Sequence, residues 1–347
     1  MINKHFTYNW LLFPILAVLF AGSMVGCGND PVMEEETTSG KTMLSIMVRG
    51  ITITEPIDGN YDDYIETLRI IGYDDAGNAV CNELYEDLSK NKSVKEIEYE
   101  EERLYQISNL ELQGFTGGRC TFYFIANEKN YVVSPSLESG LTDAPSLSDL
   151  NGAKVTFNNN NNNELGTFPI LMTAKLVALV KNGIEQEITE PIHLVRCVAK
   201  FKLIIEGDQN IYTIGEVTVT GYYPQNYALW EGSRYTGYST SPYNKSVTNN
   251  NSSDSKCLFS SSEIYFPEKL YGSQIDYSGL LRFNIPVTRN GILKTYEVEI
   301  GDDVDNGNYN IQRNTIYTII ANLGWTPTFT VQVNSWNEKM MEIPAFE

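Results

Sequence analysis

The sequence predicts an all-β chain built as two β-sandwiches in tandem, and three observations carry that expectation. Short runs of β-branched and aromatic residues recur along the chain and are punctuated by turn residues. Helical periodicity is almost absent. The length of 347 residues, with 42% hydrophobic content, supplies two domains with sizeable cores.

The elements follow in order. Residues 1–26 read as a secretory signal, with Lys4 and His5 ahead of an apolar run from Trp10 to Phe20 and small residues before Cys27. Met24-Val25-Gly26-Cys27 resembles the bacterial lipobox, in which the cysteine is acylated. Cys27 is therefore the expected lipidation site, and the mature protein is expected to be anchored by lipid alone. Residues 27–42 are a polar tether containing Glu34-Glu35-Glu36, which resembles a surface-export signal and reads equally well as a solvated linker.

The first β-type run is Met43–Thr54. Leu44, Ile46 and Val48 share one parity, whereas Ile51 and Ile53 lie on the other, so a bulge or break is expected near Arg49-Gly50. Tyr64–Tyr73 reads as a buried strand, and Val94–Leu112 as two strands with a break near Glu101-Glu102. Cys120–Ala126 is another strand, and PSLSDLNGAKV has room for a short helix. Asn158–Asn163 cannot build a core and is a loop. Leu171–Val180 and Ile184–Ile188 close the first domain, residues 43–190.

The second domain, residues 191–347, opens with a strand from His193 to Glu206 in which Val195, Cys197, Ala199 and Phe201 share a parity. Tyr212–Thr220 follows, then Tyr222–Ser262 as a long loop. Strands resume at Leu280–Val287, Lys294–Ile300, Asn314–Leu323 and Thr328–Trp336. Asp302–Asn308 has calcium-loop composition without the register, and reads as a hairpin turn.

Composition narrows the chemistry. A net charge of −19 without a basic cluster argues against nucleic acid as a partner. His193 is the only histidine after the leader, which argues against histidine-based triads and multi-histidine metal sites. Forty-four scattered acidic residues carry no specificity for glycoside hydrolysis. The expectation is a protein that is not an enzyme, with no catalytic residues, metal or cofactor. Cys81, Cys120, Cys197 and Cys257 permit disulfides or buried thiols.

Several segments together resemble the FimA/Mfa-type fimbrillins of Bacteroidales, the subunits of type V pili. They are Cys27, the run around Arg49, Ile65–Val80, Cys120–Glu128, Phe168–Ala174, His193–Ile205, Arg313–Gly324 and Phe329–Trp336. The resemblance implies transthyretin-like sandwiches, lipoprotein export, and polymerisation by strand exchange at the cell surface. It makes Arg49 and Gly50 the site of an arginine-specific processing protease, and Leu44, Ile46 and Val48 part of the strand that is lost. Phe329, Val331 and Val333 match the donor region that fills a neighbouring subunit, although they read equally well as the last strand of their own domain. The expected partners are other copies of the chain, related fimbrial subunits, and host or bacterial surface ligands. The leading expectation is a shaft subunit supporting adhesion. The alternatives are a tip or anchor subunit, or a monomeric glycan-binding lipoprotein using Tyr222, Tyr223, Tyr227, Trp230, Tyr235 and Tyr238.

Overall fold

The structure is a computed structural model, and the description covers residues 41–49, 62–99, 102–156, 169–224, 226–231, 240–250, 255–271 and 279–336. In the front half the strands are β1 (Thr42–Arg49), β2 (Leu68–Asp74), β3 (Ala79–Tyr85), β4 (Val94–Tyr99), β5 (Glu102–Leu112), β6 (Gly118–Ala126) and β7 (Val132–Ser134). Helix α1 (Leu147–Asn151) precedes β8 (Lys154–Thr156), β9 (Met172–Val180), β10 (Glu185–His193) and β11 (Val195–Arg196). Two sheets with orders β10-β1-β5-β4 and β11-β9-β6-β2-β3 enclose a common core. Leu44, Ile46, Val48, Ile107 and Leu110 come from the first sheet, and Ile70, Phe122, Phe124 and Met172 from the second.

At β2 and β6 the second sheet is buried on both faces. Ile71, Tyr73, Tyr123 and Ile125 point away from the first core into another cluster with Leu150, Val155, Leu171, Tyr227 and Trp230. That is why β2 and β6 are near-continuous apolar runs rather than alternating ones. Gly72 is needed where these layers meet, because a Cβ there would lie 2.7 Å from Cys81 Sγ and 3.0 Å from Phe122.

In the rear half the strands are β12 (Val198–Gly207), β13 (Tyr212–Ile214), β14 (Thr218–Pro224), β15 (Asn226–Ala228), β16 (Thr240–Ser246), β17 (Cys257–Ser260) and β18 (Ile264–Pro267). They continue with β19 (Arg282–Arg289), β20 (Ile292–Glu299), β21 (Thr315–Leu323) and β22 (Thr328–Ser335). One sheet has the order β17-β12-β21-β22 with β18 also on β12, and the other has β13-β19-β14-β16 with β20 on β19. Between them lie Phe201, Leu203, Phe266, Phe283, Ile285, Tyr317 and Ile319. A three-stranded sheet, β15-β8-β7, joins the halves.

Two expectations need revision. The run His193–Glu206 is not one strand. β10 runs through Glu190-Pro191 to His193, β11 still pairs with β9, and only β12 enters the rear core. Tyr222–Ser262 is not one loop either, since β15, β16 and β17 form within it around Tyr227, Tyr243 and Phe259. The buried aromatics supply the burial that short, Asn- and Ser-rich strands otherwise lack. β1 carries two register irregularities of its own, while the bulge or break expected near Arg49-Gly50 falls at the limit of the described residues. Against β5 one residue, Ser45, faces two, Ser108 and Asn109, between the Leu44 and Ile46 pairings, and Asn109 adopts a positive φ of 64°. Against β10 the slip is between Ile46 and Val48, opposite Pro191, which has no N–H for the ladder. Gly50, Ile51 and Ile53 lie outside the described residues.

Candidate functional site: the first and last strands

β1 is an interior strand. It pairs parallel with β10 and antiparallel with β5, and Leu44, Ile46 and Val48 are each 0% exposed. Ser45 and Met47 on its other face are buried as well. Burying three such side chains contributes about 5–9 kcal/mol at 1.5–3 kcal/mol each. That is comparable to the whole stability of a typical domain, so this strand leaves the sheet only if something replaces it. Arg49 closes the strand, with its backbone registered against His193 on one side and Leu104 on the other. A protease would need this end of the ladder to open before binding Arg49 in an extended form.

β22 is the opposite case. It lies at the sheet edge and pairs only with β21 among the described strands. Phe329 and Val331 are half-buried against the rear core, with the Phe329 ring 5.2 Å from that of Tyr296. Val333 is 38% exposed, and Thr330, Gln332 and Asn334 face solvent. Of the three candidate donor residues, Phe329 and Val331 turn towards the core and Val333 does not, so the strand is held by one ladder and two side chains.

Trp336 fixes the far end of this strand. It is buried with Ile170, Val198 and Tyr265, and its N–H donates to the Asn314 carbonyl at 3.0 Å. Its ring stacks on Tyr265 at 5.9 Å, with the Arg196 guanidinium at 4.7 Å and Lys200 Nζ at 5.2 Å. Beneath the ring is a buried ionic cluster. Lys200 Nζ donates to Asp62 Oδ2 at 2.6 Å and meets Glu263 at 2.6 Å. Tyr265 OH donates to Asp62 Oδ1 at 2.7 Å, and Arg196 Nε donates to the Asp62 carbonyl at 3.0 Å. Arg196 also pairs with Asp63 and donates to Asn314 Oδ1 at 2.8 Å. Burial pushes the Arg196 guanidinium down to about 10, with Asp62 opposing the shift, and burial raises the Tyr265 phenol far above its usual range.

Sequence reasoning missed this cluster. Its one legible signal is the pair Arg196 and Lys200, two bases four residues apart in an apolar run, which a single strand would place on one face. Asp62 is 138 residues from Lys200, and nothing local announces the pairing.

The remaining chemistry is sparse. His193 is exposed at the end of β10, while Cys197 is buried and contacted by Thr173, the Leu229 carbonyl and Arg313. Among the described residues no group of three His, Cys, Asp or Glu could hold a metal ion. All four cysteines in the described residues are free thiols. Tyr223, Tyr227 and Trp230 are buried, Tyr222 is 37% exposed, and Tyr235 and Tyr238 lie outside the described residues, as does Cys27. No helix among the described residues is long and apolar enough to cross a membrane.

A first strand locked inside one sheet pair and a last strand parked on the edge of another define a β-sandwich protein whose working parts are strands rather than a pocket. The chain belongs to the fimbrillin-A associated anchor proteins, the family of Mfa1 and Mfa2, whose profile matches residues 52–341. Curated protein sequences show no significant match. Among solved structures, a cell-adhesion protein of Bacteroides eggerthii is 15% identical with a TM-score of 0.52, covering 86% of this chain and 96% of its own. A fimbrial assembly protein of Parabacteroides distasonis is 10% identical with a TM-score of 0.51, covering 85% and 97%. The fimbrial anchor protein Mfa2 of Porphyromonas gingivalis is 12% identical with a TM-score of 0.42, covering 85% and 98%. Family membership gives the chain a fimbrial subunit role at the cell surface, in association with other fimbrial subunits.

Proposed function

We propose that this chain is the anchor-type subunit of a surface fimbrium, a structural protein and not an enzyme, held in the outer membrane by lipid on Cys27. Its parts would be a leader (1–26), a tether (27–42) and two transthyretin-like sandwiches (43–190 and 191–347). The carrying observation is that β1 is interior and paired on both sides up to Arg49. A subunit that must stay tethered has to keep the covalent path from the lipid through β1 into its core. A two-sided ladder protects that path by keeping Arg49 out of a protease's extended-substrate pose. The family profile, that of anchor proteins, supports the same reading.

A second reading rests on the edge position and alternation of β22. Here an arginine-specific protease cuts at Arg49-Gly50 and the strand bearing Leu44, Ile46 and Val48 departs. A strand carrying the equivalents of Phe329, Val331 and Val333 from another copy then fills the trough. The chain would be a shaft subunit polymerising head-to-tail by donor-strand exchange. Either subunit would support adhesion to host or bacterial surface ligands.

Membrane fractionation with terminal sequencing separates the readings. For an anchor, the chain from Cys27 onward stays with the outer membrane, survives arginine-specific protease while folded, and Cys27→Ala sheds fimbriae into the medium. Recovery of the chain from Gly50 onward within detached fibres would overturn the anchor reading.

A further inference from the structure

β9 has a free side. Along one side it pairs with β6 over its whole length, from Met172 to Val180. Along the other, β11 covers only Met172 and Thr173. From Ala174 to Val180 no other described strand pairs with it. The Leu179 carbonyl accepts a bond from Gln186 Nε2 at 3.1 Å, so it points away from β6. Alternate residues of an antiparallel strand share that direction, so the N–H and C=O groups of Lys175 and Val177 point outward too. An open cleft of about 530 Å³ flanks the start of this edge, between Ala174, Lys175 and Leu176 on β9 and Pro191, Ile192 and His193 on β10. The outer face of the strand is apolar as well as open: Val177 is 42% exposed and Leu179 74%. An unprotected edge beside exposed apolar side chains is a template for another strand.

We propose that this edge is an interface between two copies of the chain, joined antiparallel about a two-fold axis at Val177. The edge is self-complementary in that register. Val177 faces the partner's Val177, Lys175 faces the partner's Leu179, and Leu176 faces the partner's Ala178. No charge meets its like, and the aliphatic stem of Lys175 covers an exposed leucine. The register forms about six ladder hydrogen bonds, at the small cost of releasing the exposed Gln186 contact. Each copy carries a net charge of −19, so pairing needs physiological salt, where exposed charges more than about 8 Å apart are screened. The result is one continuous sheet through two subunits, and it holds whether β1 is kept or released.

The test is cysteine cross-linking of the full chain on the cell surface. Val177→Cys places two thiols on the axis at a separation that a disulfide spans, about 4.4–6.8 Å between Cα atoms. Under mild oxidant it gives at least tenfold more disulfide-linked dimer than Val132→Cys, a control at a 52% exposed site on β7. Adding Leu179→Lys sets like charges opposite each other and lowers the yield at least tenfold. Adding Lys175→Leu as well restores opposite partners and restores the yield, which misfolding could not do. A Val177→Cys yield equal to that of the Val132→Cys control, or a yield indifferent to the charge exchange, overturns the interface.

Discussion

At the scale of single residues, the cluster under Trp336 converts isolated charges into a fastening. Asp62 and Lys200 are both nearly inaccessible and pair with each other, with Tyr265 as a second partner of Asp62 and the more exposed Glu263 of Lys200. Breaking a buried pair from one side strands a charge and costs about 3–5 kcal/mol, whereas replacing both partners with apolar residues is close to neutral. Asp62→Leu and Lys200→Met should each lower the denaturant midpoint markedly, and the double variant should recover most of the loss. Trp336→Ala removes the lid and should cost about 3–5 kcal/mol. It should also speed hydrogen exchange of Thr328–Ser335 at least tenfold more than that of β21, since it frees the end of an edge strand.

The thiols carry a prediction in pH. Burial pushes Cys120 up to about 12 and Cys81 well above its ordinary range. A thiol raised on folding contributes stability that is complete below the unfolded value near 9 and is lost as pH rises towards the folded value. The phenols of buried Tyr73 and half-buried Tyr85, also raised by desolvation, act in the same direction. Melting temperature should therefore fall between pH 9 and 12. At pH 8 a maleimide should reach Cys257 in the folded chain, but Cys81, Cys120 and Cys197 only after denaturation.

At the scale of elements, the two strands that define the site differ in how they are held. Ile46 sits in a core with strands on both sides, and Val331 on an edge with one. Ile46→Asp buries an unpaired carboxylate and should prevent folding. Val331→Asp should leave the precursor folded, at a cost of about 1–2 kcal/mol, because a half-buried edge side chain can turn its carboxylate to water. Circular dichroism melts of the two variants check the contrast. Equal damage from both would mean that β22 is as integral as β1 and could not serve as a donor.

At the scale of the whole molecule, the two sheet pairs are stitched together. Arg313 is buried, pairs with Glu268 at 2.8 Å and donates to the Leu229 carbonyl at 2.8 Å. Leu229 N–H in turn donates to the Ala153 carbonyl at 2.9 Å, next to the β8–β15 pairing. Calorimetry should show a single unfolding transition. Arg313→Met leaves Glu268 unpaired and loosens the stitch, and should split that transition in two.

The sequence by itself determined the face that some of the strands bury. Alternation at Leu44, Ile46 and Val48, and again at Ala199 and Phe201, could be read without any partner in view. It also set a narrow histidine inventory, His5 and His193 alone. Only the tertiary structure decided who neighbours whom. It set β1 between β10 and β5 rather than on an edge, paired β12 in parallel with β21, and brought Asp62 beneath Trp336. A period of two specifies a face but is silent about which strand lies alongside. That choice is made by bulges, by shared cores and by buried charges whose partners lie more than a hundred residues away.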